Sequence, residues 1–165
     1  MSIAATYVSQ VTIVETGEGV FLGTDNTITT NGMNRSEGLT GATAVPVTKY
    51  SSFQKALAAG VGTIDLTSLP DFNGAAGAVT FLGLKVQMIK VRSKSDNANP
   101  ITITKGASNG YGLGAAGATF TIPLEPDCEA TIYLDDKAPD VAAGAKTFDL
   151  SGTGSQVLEV TLVAG

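Results

Sequence analysis

Residues 155–163 read Ser155-Gln156-Val157-Leu158-Glu159-Val160-Thr161-Leu162-Val163. In an extended chain successive side chains alternate between faces, so Leu158, Val160 and Leu162 share one face and Glu159 and Thr161 the other. That is the pattern of a half-buried strand. It runs almost to Gly165, which predicts a chain end pinned in a sheet. Working outward, the same period of two recurs at 5–14, 27–30, 45–49, 62–66, 84–94, 100–105, 118–123, 129–134 and 146–150. Turn signals separate these runs: Asn31-Gly32, Asn73-Gly74, Asn109-Gly110, Asp135-Asp136 and Ser151-Gly152. Roughly nine or ten short strands at this spacing predict a mainly β chain folded as a sandwich or barrel, with an antiparallel β-sandwich as the preferred reading.

One segment departs from that period. In 51–60 (SSFQKALAAG), Ser51 stands three residues before Gln54, as in a capping box. Phe53, Ala56 and Leu57 sit at i, i+3 and i+4, and Gly60 suits a helix end. The spacing predicts one short helix there. In 84–94, Leu84, Val86 and Met88 are apolar on even positions and Ile89 and Val91 on odd ones. A bulge near Met88–Ile89 reconciles the halves and sends Lys90, Arg92 and Lys94 to the outer face. The glycine-rich stretches 32–44 and 106–117 read as loops, and 70–78 as a flexible connector inside a single domain of residues 1–165. The segments 62–67 and 146–151 share the pattern Thr-apolar-Asp-Leu-Thr/Ser, which chance or equivalent strand ends explain better than duplication.

Composition narrows the chemistry. The 165 residues include 21 Ala, 20 Gly and 21 Thr but no His, no Trp and one Cys. Without His, neither Ser-His-Asp nor Cys-His catalysis can be built within one chain, nor can the common structural zinc sites. Cys128 reads as a small core residue. A net charge of −5 argues against sequence-independent nucleic-acid binding. No run approaches the ~18 apolar residues of a membrane helix, and the first residues lack the basic start of a signal peptide, so a chain made and kept in the cytoplasm, or leaving by a route other than cleaved-signal secretion, is expected.

The acidic cluster Glu125, Asp127, Glu129, Asp135, Asp136 and Asp140 matches no Ca²⁺-loop spacing and reads as a solvated face. Residues 106–117 (GASNGYGLGAAG) fit neither a phosphate loop nor a dinucleotide fingerprint. No catalytic, cofactor-binding or metal-binding residue is therefore assigned, and the chain is not expected to be an enzyme. Lys85, Lys90, Arg92 and Lys94 form the one concentration of positive charge, a candidate partner for the acidic 125–140 region of a neighbouring copy. Tyr111, inside the glycine stretch, is the tyrosine expected to be exposed. These five residues make up the candidate interface.

Residues 84–105 (LKVQMIKVRSKSDNANPITITK) run from a long strand through a polar Asn-Pro turn into a Thr/Ile strand. Residues 144–165 (GAKTFDLSGTGSQVLEVTLVAG) place a Gly-Thr-Gly turn before a final strand. In these two stretches, about half the chain, the sequence resembles small structural proteins from tailed-bacteriophage head-gene clusters, of the capsid decoration or minor capsid type. The resemblance implies a jelly-roll-like sandwich located in the virion, with a homo-oligomer such as a trimer and the major capsid protein as partners. It transfers no catalytic residues. A low charge content of 15% fits a chain that buries surface in an assembly. A non-catalytic carbohydrate-binding or fibre-tip module is the competing expectation.

Overall fold

The computed structural model describes residues 3–18, 25–30, 34–71, 73–114 and 118–165, with side chains from 13 to 33 outside the description. Twelve strands occur there: β1 (Ala5–Ser9), β2 (Ile13–Glu18), β3 (Asp25–Thr30), β4 (Arg35–Leu39), β5 (Lys49–Ala56), β6 (Val61–Asp65), β7 (Val86–Ser93), β8 (Ile101–Lys105), β9 (Thr121–Leu124), β10 (Glu129–Tyr133), β11 (Thr147–Ser151) and β12 (Val157–Ala164). One 3₁₀ turn, Asp135–Lys137, is the helical element among the described residues. The chain is mainly β, and every strand pairing is antiparallel. No helix among the described residues is long and apolar enough to cross a membrane.

Eight strands form two four-stranded sheets, ordered β10-β7-β12-β5 and β6-β11-β8-β9. The pairing has a simple logic: β5 lies beside β12, β6 beside β11, β7 beside β10 and β8 beside β9. Residues 49–164 are thus a long antiparallel hairpin bent back over itself, and the contacts β12–β7 and β11–β8 close the two layers. Inward residues of both sheets build one core, with Ile89, Leu158 and Leu162 from one layer meeting Ile64, Ile103 and Phe148 from the other. Leu158, Leu162 and Ile101 are fully buried, and each such side chain contributes roughly 1.5–3 kcal/mol relative to exposure. The seam retains a cavity of only about 10 Å³ lined by apolar side chains, about the space of one water. The interior is a packed core, not a ligand chamber. Core residues come from both sides of 70–78, including Leu66 and Leu69 before it and Phe81 after it.

The expected helix over 51–60 is a strand. β5 pairs with β12 from Lys49↔Ala164 to Ala56↔Val157. Ser51 is buried while Ser52 and Gln54 are exposed, so the period is two. Phe53 and Leu57, four residues apart, share the inward face of a strand as readily as that of a helix, whereas Ala56 points outward; just past the strand the Leu57 N–H donates to the Gln156 carbonyl. Gly60 is no helix cap: Ala59 (φ 51°) and Gly60 (φ 81°) form the turn that enters β6, with the positive φ at both central residues of a type I′ turn. Pairing across the sheet overrode local propensity.

Other boundaries shift for equally local reasons. The expected loop 32–44 contains β4, which pairs with β1 and buries Leu39. The expected strand 45–49 reaches the ladder only at Lys49. The bulge of β7 lies at Gln87, since Val163 faces Met88 and Ala164 faces Val86. The similar segments near 62 and 147 are indeed paired strand ends, β6 and β11, with Phe148 opposite Ile64. The end of that pair is clamped by Lys146 Nζ, 2.7 Å from Asp65 Oδ2. Burial raises the Asp65 carboxyl, but the hydrogen bonds from Lys146 and Thr67 outweigh it and hold the group below the usual carboxylate range.

The expected glycine loop at 106–117 is tight in its described part, residues 106–114. The N–H groups of Gly106 and Tyr111 both donate to the Thr147 carbonyl. A Cβ on Gly110 would collide with the Gly106 carbonyl oxygen, so this close approach requires glycine. Cys128, expected in the core, is exposed, because it sits in the turn before β10 where Asp127 has a φ of 62°.

Candidate functional site

The outer face of the β10-β7-β12-β5 sheet carries Lys90 and Arg92 of the candidate interface. Alternation and register place them in rows across the four strands. Thr161 faces both Ser52 and Lys90, and Lys90 faces Thr131. Glu159 faces both Gln54 and Arg92, and Arg92 faces Glu129. Ser52, Gln54, Lys90, Arg92, Glu129 and Thr161 line an open recess of about 440 Å³. A third row, Tyr50, Val163, Met88 and Tyr133, continues the face with apolar character. There Ile3, Ala5, Tyr50, Met88 and Val163 line a second recess of about 380 Å³.

The apolar end is covered by the β1–β4 ribbon. Tyr7 stacks on Tyr133 at 5.0 Å between ring centroids, and the Arg35 guanidinium lies 4.7 Å over the same Tyr133 ring, within cation–π range. Leu39, Val47, Met88 and Val163 form a small core beneath the ribbon. Burial pushes the Tyr133 phenol up from its ordinary pKa, with the Asp135 and Glu37 charges acting in the same direction.

Each residue of the basic stripe has a partner within the chain. Lys85 Nζ lies 3.0 Å from Asp140, Lys90 Nζ 3.1 Å from Glu129, and Arg92 Nη2 2.6 Å from Asp127. Lys94 pairs with Asp96 at 3.4 Å. The hydrogen bond to Asp127 raises the Arg92 pKa further. The acidic region expected to meet the stripe from a neighbouring copy therefore meets it within the same chain. The reason is topological: β10 is the antiparallel neighbour of β7. The two charge runs look segregated in sequence only because some forty residues separate them.

Tyr111 does not join this face. It is fully buried, packed edge-on against Phe148 at 5.8 Å. Its hydroxyl donates to the Pro139 carbonyl at 2.7 Å and accepts the Val86 N–H at 3.3 Å. Burial is the main cause that pushes its pKa up to about 12. The aromatic among glycines is a core bolt, and the small neighbours let the backbone close over it.

Asp135 and Asp136 lie in the single 3₁₀ turn, where Asp136 pairs with Lys137 at 2.6 Å. That hydrogen bond lowers the Asp136 pKa. No group of three or more acidic or thiol side chains suited to a metal occurs among the described residues. The sequence reading missed Ser52 and Gln54 because it placed them on a helix. Glu159 and Thr161 were legible as outward-facing, though not as the centre of a four-strand face. No protein-family model, curated protein or solved structure matches the chain.

Proposed function

We propose that the protein is a non-catalytic structural component of a tailed-phage virion, a jelly roll that decorates the capsid or forms part of its shell as a homo-oligomer. The observation that carries this reading is the strand order. A single hairpin bent over into layers β10-β7-β12-β5 and β6-β11-β8-β9 supports reading the sandwich as a jelly roll, an architecture common in capsid domains. The closely packed apolar seam between the layers supports a scaffold role, since among the described residues it leaves a cavity of only about 10 Å³. The open polar part of the outer face, with its charges paired within the chain, supports contact with another protein surface. Mass spectrometry and antibody labelling of purified virions test the reading. Label spread over the shell is expected, and absence of the protein from virions overturns it.

The polar recess around Gln54, Arg92 and Glu159 favours a second reading, a carbohydrate-binding or fibre-tip module, because its side chains offer both donors and acceptors. Binding on a glycan array that Gln54→Ala and Arg92→Ala abolish would move the assignment there.

A further inference from the structure

β1–β4 and β2–β3 are successive stretches of one long hairpin. Ser9 pairs with Arg35 and Ile13 with Thr30, and the Val11 N–H donates to Asn34 Oδ1 between them. The near half is anchored, with Ile3, Ala5 and Tyr7 packed against the Leu39–Val47–Met88–Val163 cluster. The far half is different. Among the described residues, β2 and β3 pair with each other and with no other strand. A lone two-stranded ribbon is marginal in water, and among those residues both of its outer edges lack a strand partner.

The sandwich offers a complementary edge. β5 pairs only with β12, and no other main-chain hydrogen bond among the described residues reaches 49–56. The lengths suit an added strand, with eight residues in β5 and six each in β2 and β3. Among the described residues, the 68–80 segment hydrogen-bonds to β5 only through the Ser51 and Lys49 side chains, which donate to the Pro70 and Thr80 carbonyls. Charge narrows the match. Residues 13–30 contain Glu15, Glu18 and Asp25 and no Lys or Arg, whereas β5 contains Lys49 and Lys55 and no carboxylate. Lys49 donates to the Thr80 carbonyl, and neither lysine has a carboxylate partner among the described residues.

The other edges of the two four-stranded sheets fit an acidic strand less well. β9 contains Pro123, β6 ends in Asp65, and β10 starts at Glu129. Lysines on β5 also repel a second β5, which disfavours edge-to-edge pairing of like strands.

We infer that the β2–β3 arm of one copy adds to the β5 edge of a second copy, extending the β10-β7-β12-β5 sheet across the subunit boundary. The occupant is this chain itself. Such β-augmentation draws affinity from main-chain hydrogen bonds and orientation from the opposite charges. The contact is heterologous, so it closes into a ring or continues as an open chain. It deepens the shell-protein reading by naming the surface through which copies join, and it is tested in solution without a capsid.

Sedimentation velocity at low and high salt compares four full-length proteins: wild type, Glu15→Lys/Glu18→Lys/Asp25→Lys, Lys49→Glu/Lys55→Glu, and the combination of all five changes. Wild type is expected to self-associate. Each partial reversal should weaken association by about tenfold or more at low salt, and less at high salt. The full combination should restore it, as should mixing the two partial variants. A partial variant that fails to fold is replaced by hydrogen exchange on the wild type, where amides of β5 and of β2–β3 should gain protection together as concentration rises. Wild type that stays monomeric at high concentration overturns the proposal, as does association unmoved by every reversal. The virion-labelling result stands independently of either outcome.

Discussion

Tyr111 shows how one side chain can be read correctly for chemistry and wrongly for place. Glycines around an aromatic suggest an exposed loop, yet here they allow the backbone to wrap a fully buried ring. Its hydroxyl ties the start of β7 to the Pro139 carbonyl. Tyr111→Phe leaves the Val86 N–H without its acceptor and is expected to cost ~1–2 kcal/mol in chemical denaturation. The pH consequence follows from the raised pKa. The unfolded phenol ionises near pH ~10, while the folded one holds its proton up to about 12. This contribution is therefore complete below pH ~10 and is lost as pH rises toward the folded value. Urea midpoints of the wild type should fall across that window, and those of Tyr111→Phe should fall less. Equal slopes for the two proteins would remove this role for the buried hydroxyl.

Strands 5, 7 and 10 show what pairing does to local signals. A capping-box pattern and an i, i+3, i+4 triad were legible in 51–60, but eight residues of ladder with β12 decided for a strand. Likewise the positive run on β7 looks free until β10 is laid beside it. Lys90 and Glu129 are both about half exposed, so their pair contributes only ~0–1 kcal/mol. Reversal has a clear sign nonetheless. Lys90→Glu or Glu129→Lys alone places like charges on adjacent strands and should lower the melting temperature slightly. The double exchange Lys90→Glu/Glu129→Lys should recover most of the loss, and added salt should shrink all three effects. Non-recovery in the double exchange would show that these side chains matter through other contacts.

Across the whole molecule, the sandwich and the far arm differ in how their hydrogen bonds are supported. Strands β7, β8, β11 and β12 lie inside their sheets, paired on both sides over the shared core, whereas β2 and β3 rely on each other. Native-state hydrogen exchange of the monomer should find slow amides in β7, β11 and β12 and the fastest strand amides in β2–β3. Uniform protection across all twelve strands would contradict this division. The sequence by itself determined the class: alternation at 84–94 and 155–163, turn residues between short apolar runs, and the lack of His were enough for a β-sandwich and against His-dependent chemistry. Alternation also set Lys90, Arg92, Glu159 and Thr161 on outer faces, because side-chain direction in a strand is a local property. Only the tertiary structure decided that β5 is a strand, that Cys128 lies outside and Tyr111 inside, and that the stripe is neutralised by its own chain. Each of these depends on which distant strand lies alongside, and in an antiparallel sheet that choice is made by long-range pairing, which no local window of sequence contains.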